Sequence, residues 1–366
     1  MKILHICPDY YGTSLYKNMI DNLSNKGIEN HIFITQNEDR DKKSKDSNNI
    51  YVTKHKYTIL DRILFFKKQK KNLDEIIKVF DVNAFDLIHA HNLFSAGYIA
   101  YKLKEKFNTP YIVAIRNTDV NVFFKYMLHL RNIGVKILNN AKSNVYISPS
   151  YKNTVLNSYI QKKYYQEILN KSIVIPNGID DMFLSNKYQR NIVLNQDDIK
   201  IIYVGEVSKN KNIITTIKSC DLLIKQGYNV EFAVIGQITY NKIKAIINKK
   251  KYLKYYPKSN KEFILKMLRE YDFFVMPSKY ETFGLVYAEA ISQGLPIIYT
   301  KNQGFDGFFK QGEVGFSVSK YDYISIANYL LKIKEEYMLY SDRCIQKSDQ
   351  FRWSLITNKY IEEYEK

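Results

Sequence analysis

The chain has 366 residues, 45% of them hydrophobic, and a formal net charge of +18. That length suits two domains with sizeable cores, and no apolar run reaches the ~18 residues that a membrane-spanning helix needs. The charge leaves three partner classes open: nucleic acid, an anionic membrane surface, or phosphorylated substrates. The 32 Tyr and 20 Phe fall mostly inside apolar periodic segments, and no nucleic-acid-binding motif accompanies them, which sets nucleic acid aside.

The opening run, MKILHICPDYYG, stops its apolar stretch at Pro8 and reads as a first β-strand rather than a signal peptide. Cys7, Cys220 and Cys344 are scattered and odd in number, without C-x-x-C, which suggests a reducing, cytoplasmic setting and no zinc site. The six His include no H-E-x-x-H, a second argument against a catalytic metal.

In chain order, Ile3–Cys7, His31–Thr35, Leu87–His89, Tyr111–Ile115, Val145–Ile147 and Ile173–Ile175 are predicted strands. They are short continuous apolar runs, as in a parallel sheet covered on both faces. Leu15–Asn25, Ala96–Phe107 and Tyr151–Tyr159 are predicted helices between them. The polar stretch from Asn37 to Asn49 is a candidate mobile loop. From Ile59 to Lys71 an apolar cluster runs into a set of basic residues. That is either a core-packing helix with a solvated end or a helix that lies on an anionic membrane. His89-Ala90-His91 closes a strand, but no carboxylate joins it in sequence, so it reads as a pair of structural residues at the edge of a cleft.

Pro176-Asn177-Gly178 breaks the chain, and the pattern restarts. Ile199–Val204, Glu231–Ile235, Phe273–Met276, Pro296–Tyr299 and Gly315–Val318 are predicted strands with helices between. Two βαβ series predict two Rossmann-like, doubly wound α/β domains facing across a cleft, with ligands beyond the carboxyl ends of the strands.

Two stretches carry chemistry. In the first, Gly205-Glu206-Val207-Ser208-Lys209-Asn210-Lys211 joins a strand to a helix, where a lysine can neutralise a diphosphate and the glycine lets backbone approach it. In the second, Glu281-Thr282-Phe283-Gly284-Leu285 leads into a helix that carries Glu289 and stops at Gly294. The N–H groups of Phe283, Gly284 and Leu285 would form an anion site at the helix N-terminus, with a carboxylate on each side for hydroxyls. Phosphate with polyhydroxyl is the chemistry of a nucleotide-sugar.

The segment YETFGLVYAEAISQGLPIIYT resembles the E-x7-E region of the family-4 glycosyltransferases, or glycosyl transferases group 1. Val174–Asp180 is similar to that family's I-P-N-G-V-D run. The resemblance implies a GT-B fold divided as residues 1–177, 178–345 and a C-terminal helix, 346–366, that packs back on the first domain. It implies a metal-independent, retaining hexosyltransferase. Such an enzyme moves sugar from a UDP- or GDP-sugar to a surface glycan or a lipid-linked acceptor, in the cytoplasm or on the inner face of the membrane.

It assigns Glu281 to donor sugar hydroxyls, Glu289 to ribose and Lys211 to the pyrophosphate. Thr282, Phe283, Gly284, Leu285, Gly205, Glu206, Gly236 and Gly12 fall at its donor-binding turns. Two positions depart from the pattern. Glu206 stands where the family has an arginine, and Arg116-Asn117-Thr118-Asp119 stands where it has H-G-x-D. Asp119 matches. Arg116 either supplies the positive charge lost at Glu206 or pairs with Asp119 or Glu206 as structure. An epimerase or phosphorylase on the same fold, and a non-catalytic nucleotide-sugar-binding protein, are the alternatives.

Overall fold

The computed structural model describes residues 1–35, 49–53, 64–191, 194–247 and 249–366. The predicted mobile loop lies outside them except for Asn49, as does the 59–63 part of the basic segment. The chain divides into two compact units. The first comprises Met1–Ile147, Tyr151–Pro176 and Trp353–Lys366, and the second Ser148–Ser150 and Asn177–Arg352.

The first unit is built on β1 (Lys2–Ile6), β2 (Glu29–Ile34), β3 (Ile50–Val52), β4 (Leu87–Ala90), β5 (Tyr111–Ile115), β6 (Ser143–Tyr146) and β7 (Ser172–Val174). They form one parallel sheet in the order β3-β2-β1-β4-β5-β6-β7. Side chains alternate between two cores. Leu4, Ile6, Ile88, Val113 and Ile115 face one, and Ile3, Cys7, Leu87, Ile112 and Val145 face the other. Both faces are therefore apolar, which is why the strands read as unbroken runs.

The second core takes in the C-terminal helix Trp353–Glu365 through Trp353, Ile356, Tyr360 and Tyr364. Each such side chain, fully buried, contributes about 2 kcal/mol. The units part at Arg352 and Trp353, later than the residue 345 boundary read from sequence. The reason is packing: the helix Tyr337–Ser348 lies against Leu285–Ser292, and the Tyr337 hydroxyl donates to the Asp272 carbonyl at 3.1 Å.

The second unit contains β8 (Asp198–Val204), β9 (Asn229–Ile235), β10 (Leu253–Tyr256), β11 (Phe273–Val275), β12 (Ile297–Thr300) and β13 (Gly315–Val318). These too are all parallel, in the order β10-β9-β8-β11-β12-β13. The sequence reading missed β3 and β10. Both are edge strands and need bury only one face. In β10 only Leu253 is fully buried, between lysine-rich flanks that hide the pattern.

In each sheet the strand order reverses once, between β1 and β4 and between β8 and β11. Connections on either side of a reversal run to opposite faces, so a crevice opens at the carboxyl ends of those two strands. That places the loops after β8 and β11 together.

Candidate functional site

The loop after β8 lies on the loop after β11 through a short polar ladder. Lys279 N donates to Asn210 O at 2.8 Å. Tyr280 N donates to Asn210 Oδ1 at 3.1 Å, and Asn210 Nδ2 donates to Tyr280 O at 2.9 Å. The next residue on each side then meets its counterpart: Lys211 Nζ lies 2.6 Å from Glu281 Oε2. Two residues assigned separately from sequence, 70 positions apart, thus form one ion pair.

Asn212 follows with φ 55° and opens the helix Ile213–Lys225. Its amide donates to the carbonyls of Pro277 and Lys320, which fixes the loop from the other side.

Glu281 is held from several directions. Its backbone N–H donates to Gln303 Oε1 at 3.1 Å and its carbonyl accepts from Gly304 N at 2.8 Å. Its Oε1 accepts from Thr282 N at 3.1 Å. Gly304 is required here because a Cβ would come 2.3 Å from the Thr282 carbonyl. Gly284 has φ 79° and precedes the helix Leu285–Ser292, which no side chain caps. The leading N–H groups of an uncapped helix are donors in search of an acceptor. The Phe283 ring itself belongs to the core, among Phe305, Phe308 and Phe351, so only its backbone serves the site. The Tyr287 ring fills the space under Gly284, and its hydroxyl donates to the Met276 carbonyl.

Glu289 sits on that helix, partly buried. Burial pushes its pKa up to about 7, against the pull of Lys261, with Asp180 adding to the rise. Asp180 caps Asp181–Ser185 by accepting from Met182 N at 2.9 Å, and Lys261 Nζ lies 2.5 Å from its Oδ2.

At the end of β8, Glu206 is exposed, and its Oε1 accepts from Thr239 Oγ1 at 2.7 Å. Gly205 and Gly236 touch: a Cβ on Gly236, whose φ is 148°, would lie 1.8 Å from the Gly205 carbonyl oxygen. Glycine at Gly236 is thus a steric demand of the β8–β9 pair.

The first unit's assigned residues are differently disposed. Asp119 is buried, and its carboxylate accepts from the backbone N–H groups of Leu93, Phe94 and Arg116 at 3.0, 3.1 and 2.8 Å. Burial pushes its pKa up to about 6 despite those three donors. The sequence reading placed it among the catalytic groups. The structure makes it the clamp of two loops, with its oxygens occupied.

Arg116 meets Asp119 through its backbone, while its Nε donates to the His91 carbonyl at 3.3 Å and its guanidinium lies 5.8 Å from the Tyr16 ring centroid. Gly12 is exposed, with nothing but Asp9 Cβ, at 3.9 Å, near a Cβ built on it.

His89 and His91 are fully buried, which corrects their reading as edge residues. With His5 they form the one group of three His, Cys, Asp or Glu among the described residues whose ligand-type atoms lie within 4.8 Å of one another. His5 Nε2 meets Asn30 Oδ1 at 2.8 Å, and His5 Nδ1 meets His91 Nε2 at 3.0 Å. Asn30 donates to the Ile28 carbonyl, which orients its oxygen toward His5. His5 therefore donates from Nε2 and accepts at Nδ1, an assignment made from the network. His89 and His91 stack with ring centroids 4.0 Å apart and planes 23° from parallel. Desolvation lowers the pKa of all three and keeps them neutral at pH 7, His5 down to about 4.

Sequence reasoning passed over Asn210, Gln303, Gly304 and Lys261. The first three hold the backbone of the Glu281 loop, Asn210 and Gln303 by their side-chain amides and Gly304 by its N–H, contacts for which the sequence carries no pattern. Lys261 sits at a helix start among many other lysines.

The fold and site define a doubly wound α/β protein with a charged pair and a helix N-terminus at a strand-order reversal. The family named "Glycosyl transferases group 1" matches residues 185–351, and "Glycosyltransferase Family 4" matches residues 14–183. Together the two matches span most of the chain, and it belongs to this family of GT-B glycosyltransferases.

It is 31% identical to the Staphylococcus aureus "Capsular polysaccharide biosynthesis glycosyltransferase CapM", over 51% of this chain and 50% of that one. It is 25% identical to an uncharacterized glycosyltransferase of Methanocaldococcus jannaschii, over 66% of this chain and 63% of that one. The matched regions thus span about half to two-thirds of these relatives. Among solved structures, Anabaena HepE in complex with UDP superposes with a TM-score of 0.71 at 14% identity, covering 99% of each chain.

Proposed function

We propose that this protein is a retaining glycosyltransferase. It would move a sugar from a nucleoside-diphosphate sugar to a hydroxyl of a surface glycan or a lipid-linked acceptor. The observation that carries the reading is the Lys211–Glu281 pair at 2.6 Å beside the uncapped N-terminus of Leu285–Ser292. A lysine held by a carboxylate can turn to a diphosphate, and the carboxylate it leaves is then free to accept from sugar hydroxyls.

The reaction follows from that exchange. The acceptor oxygen bonds to the anomeric carbon on the face from which the phosphate leaves. The carbon–phosphate oxygen bond breaks, and the acceptor's proton passes to the departing phosphate. Negative charge grows on the leaving group, where Lys211 and the N–H groups of Phe283–Leu285 stabilise it without a metal ion. Glu289 holds the ribose. Arg116 supplies a fixed cation for an anionic group of donor or acceptor. Asp119 acts only by shaping the loop that carries Arg116. A UDP-bound neighbour of the same fold and a capsular-polysaccharide relative support the donor and acceptor classes.

Calorimetry of the purified protein with UDP, GDP, ADP and their sugars, with and without EDTA, tests this. The expected result is metal-independent binding of one diphosphate, weakened at least tenfold by Lys211→Ala and by Glu289→Ala. Binding of none of them would overturn it. Glu206, an anion where the family pattern that the sequence resembles has an arginine, favours one second reading, a binding protein without turnover. Tight nucleotide binding with no sugar transfer to any acceptor would establish that reading instead.

A further inference from the structure

Five exposed apolar side chains of the first unit fall in two segments. Leu64 and Phe66 stand 47% and 50% exposed at the start of the helix Phe65–Val79. Val122, Tyr126 and Leu128 stand 39%, 68% and 63% exposed just before the helix Arg131–Asn140. The segments are neighbours in space. The Phe65 ring lies 6.0 Å from Phe123 and 5.7 Å from Tyr98, and Phe66 lies 5.6 Å from Tyr98. Phe65, Tyr98, Phe123 and Met127 are themselves half-buried against the core. The two exposed segments are therefore joined through half-buried rings that pack on the core.

The charge close to these segments is predominantly basic, with Asp74 and Glu75 following on the same helix. From Phe65 to Leu73 the sequence FFKKQKKNL holds four lysines and no acid, and from Val120 to Lys136 there are again only basic charges. Lys67, Lys70 and Lys125 are exposed. A core-packing helix with a solvated end would place its large apolar groups inward, which is not where Leu64 and Phe66 lie. Water does not favour five large apolar tips in one place. A partner that accepts apolar tips at one depth and draws lysines at another is a bilayer with anionic headgroups.

We infer that this face of the first unit seats on an anionic lipid bilayer, with Leu64, Phe66, Tyr126 and Leu128 in the acyl boundary and Lys67, Lys70 and Lys125 at the headgroups. The inference concerns the first unit alone and does not depend on the transfer reading. It gives that reading a location, the membrane surface where a lipid-linked acceptor would be presented.

Flotation of the full chain with phosphatidylglycerol–phosphatidylcholine vesicles, and with phosphatidylcholine alone, tests it. The expected result is binding to the anionic vesicles only. Lys67→Glu with Lys70→Glu should lower it at least twentyfold, at about fivefold for each lysine lost. Phe66→Ser with Leu128→Ser should lower it at least tenfold. These sites are exposed, so unchanged thermal unfolding and unchanged nucleotide calorimetry would show that the fold and donor site survive. Equal binding of wild type and both variants would overturn the inference, as would no binding at all. A wild-type dimer in sedimentation that the Ser variants split, with vesicle binding unaffected, would also overturn it and assign this face to a second copy of the chain.

Discussion

Both sheets reverse their strand order once, yet the polar side chains gathered at the two reversals are in opposite states. At β8 and β11, Lys211, Glu281 and Glu206 stay near solvent, and the ladder through Asn210 brings the first two within 2.6 Å. At β1 and β4, His5, His89, His91 and Asp119 are drawn inside and bond to one another, to Asn30, to Tyr364 or to backbone, with His89 Nε2 and His91 Nδ1 left without a hydrogen-bond partner. Polar groups buried this deeply and held by protein partners specify architecture. A charged pair at the mouth of a crevice, beside open N–H donors, is poised for an anion. The contrast divides the proposed functional groups from the scaffold among residues that a sequence motif treats alike.

The largest expected effect falls on the scaffold side. Asp119→Ala removes a carboxylate that serves three buried N–H groups. Its loss should lower unfolding free energy by about 3 kcal/mol or more, read as a shift in the urea midpoint. If Asp119→Ala instead keeps its stability and loses only turnover, Asp119 is catalytic and the contrast between the two sheet ends fails.

Gly236→Ala should come next. The new methyl would overlap the Gly205 carbonyl at 1.8 Å, with a φ of 148° that L-residues avoid. Strain and displacement together should cost about 3 kcal/mol, and the movement of Gly205 should weaken nucleotide binding as well. Unchanged melting and unchanged binding would mean that the two strand ends are not pressed together.

These two residues also show what the sequence could and could not reveal. The doubly wound pattern, the chain break at Pro176 and the acidic stretch from Glu281 to Glu289 were legible. Apolar runs and glycine stops are local, and both faces of each sheet are covered. The pairing of Lys211 with Glu281 was not legible, because it depends on strand order, which brings loops 70 residues apart onto one edge. Nor was the fate of Asp119. A motif supplies the residue type, while burial and the three N–H donors are set by how the loops after β4 and β5 close. His89 and His91 misled for the same reason. Alternation correctly put them on one face of β4, but the C-terminal helix then covered that face, and Tyr364 Oη lies 2.8 Å from His89 Nδ1.

A smaller effect sharpens the second unit. Glu289 holds its proton to about pH 7 in the folded chain, above the ordinary 4.5. The folded state therefore binds more protons than the unfolded state between those values, and this contribution to stability is full below pH 4.5 and lost as pH rises through 7. Glu289→Gln should remove that slope, so that the difference in unfolding free energy between variant and wild type grows across the window by on the order of 1 kcal/mol, solvent screening included. Parallel pH profiles would show that Glu289 titrates in its ordinary range.

The smallest effect is the most discriminating. Gly12 and Gly236 were assigned alike, as glycines at turns that follow strands. Gly236 cannot carry a Cβ. Gly12 has room for one, and its φ is not positive. Gly12→Ala should therefore change stability by less than about 0.5 kcal/mol, and a melting curve will show whether it does. With stability unchanged, activity becomes the informative readout. If transfer is also unchanged, the first sheet's opening turn is scaffold, like the buried histidines behind it. If transfer falls tenfold or more in a variant that folds normally, something other than this chain must occupy the space beside Gly12 during the reaction. That result would place a substrate against the first unit without any change in its architecture.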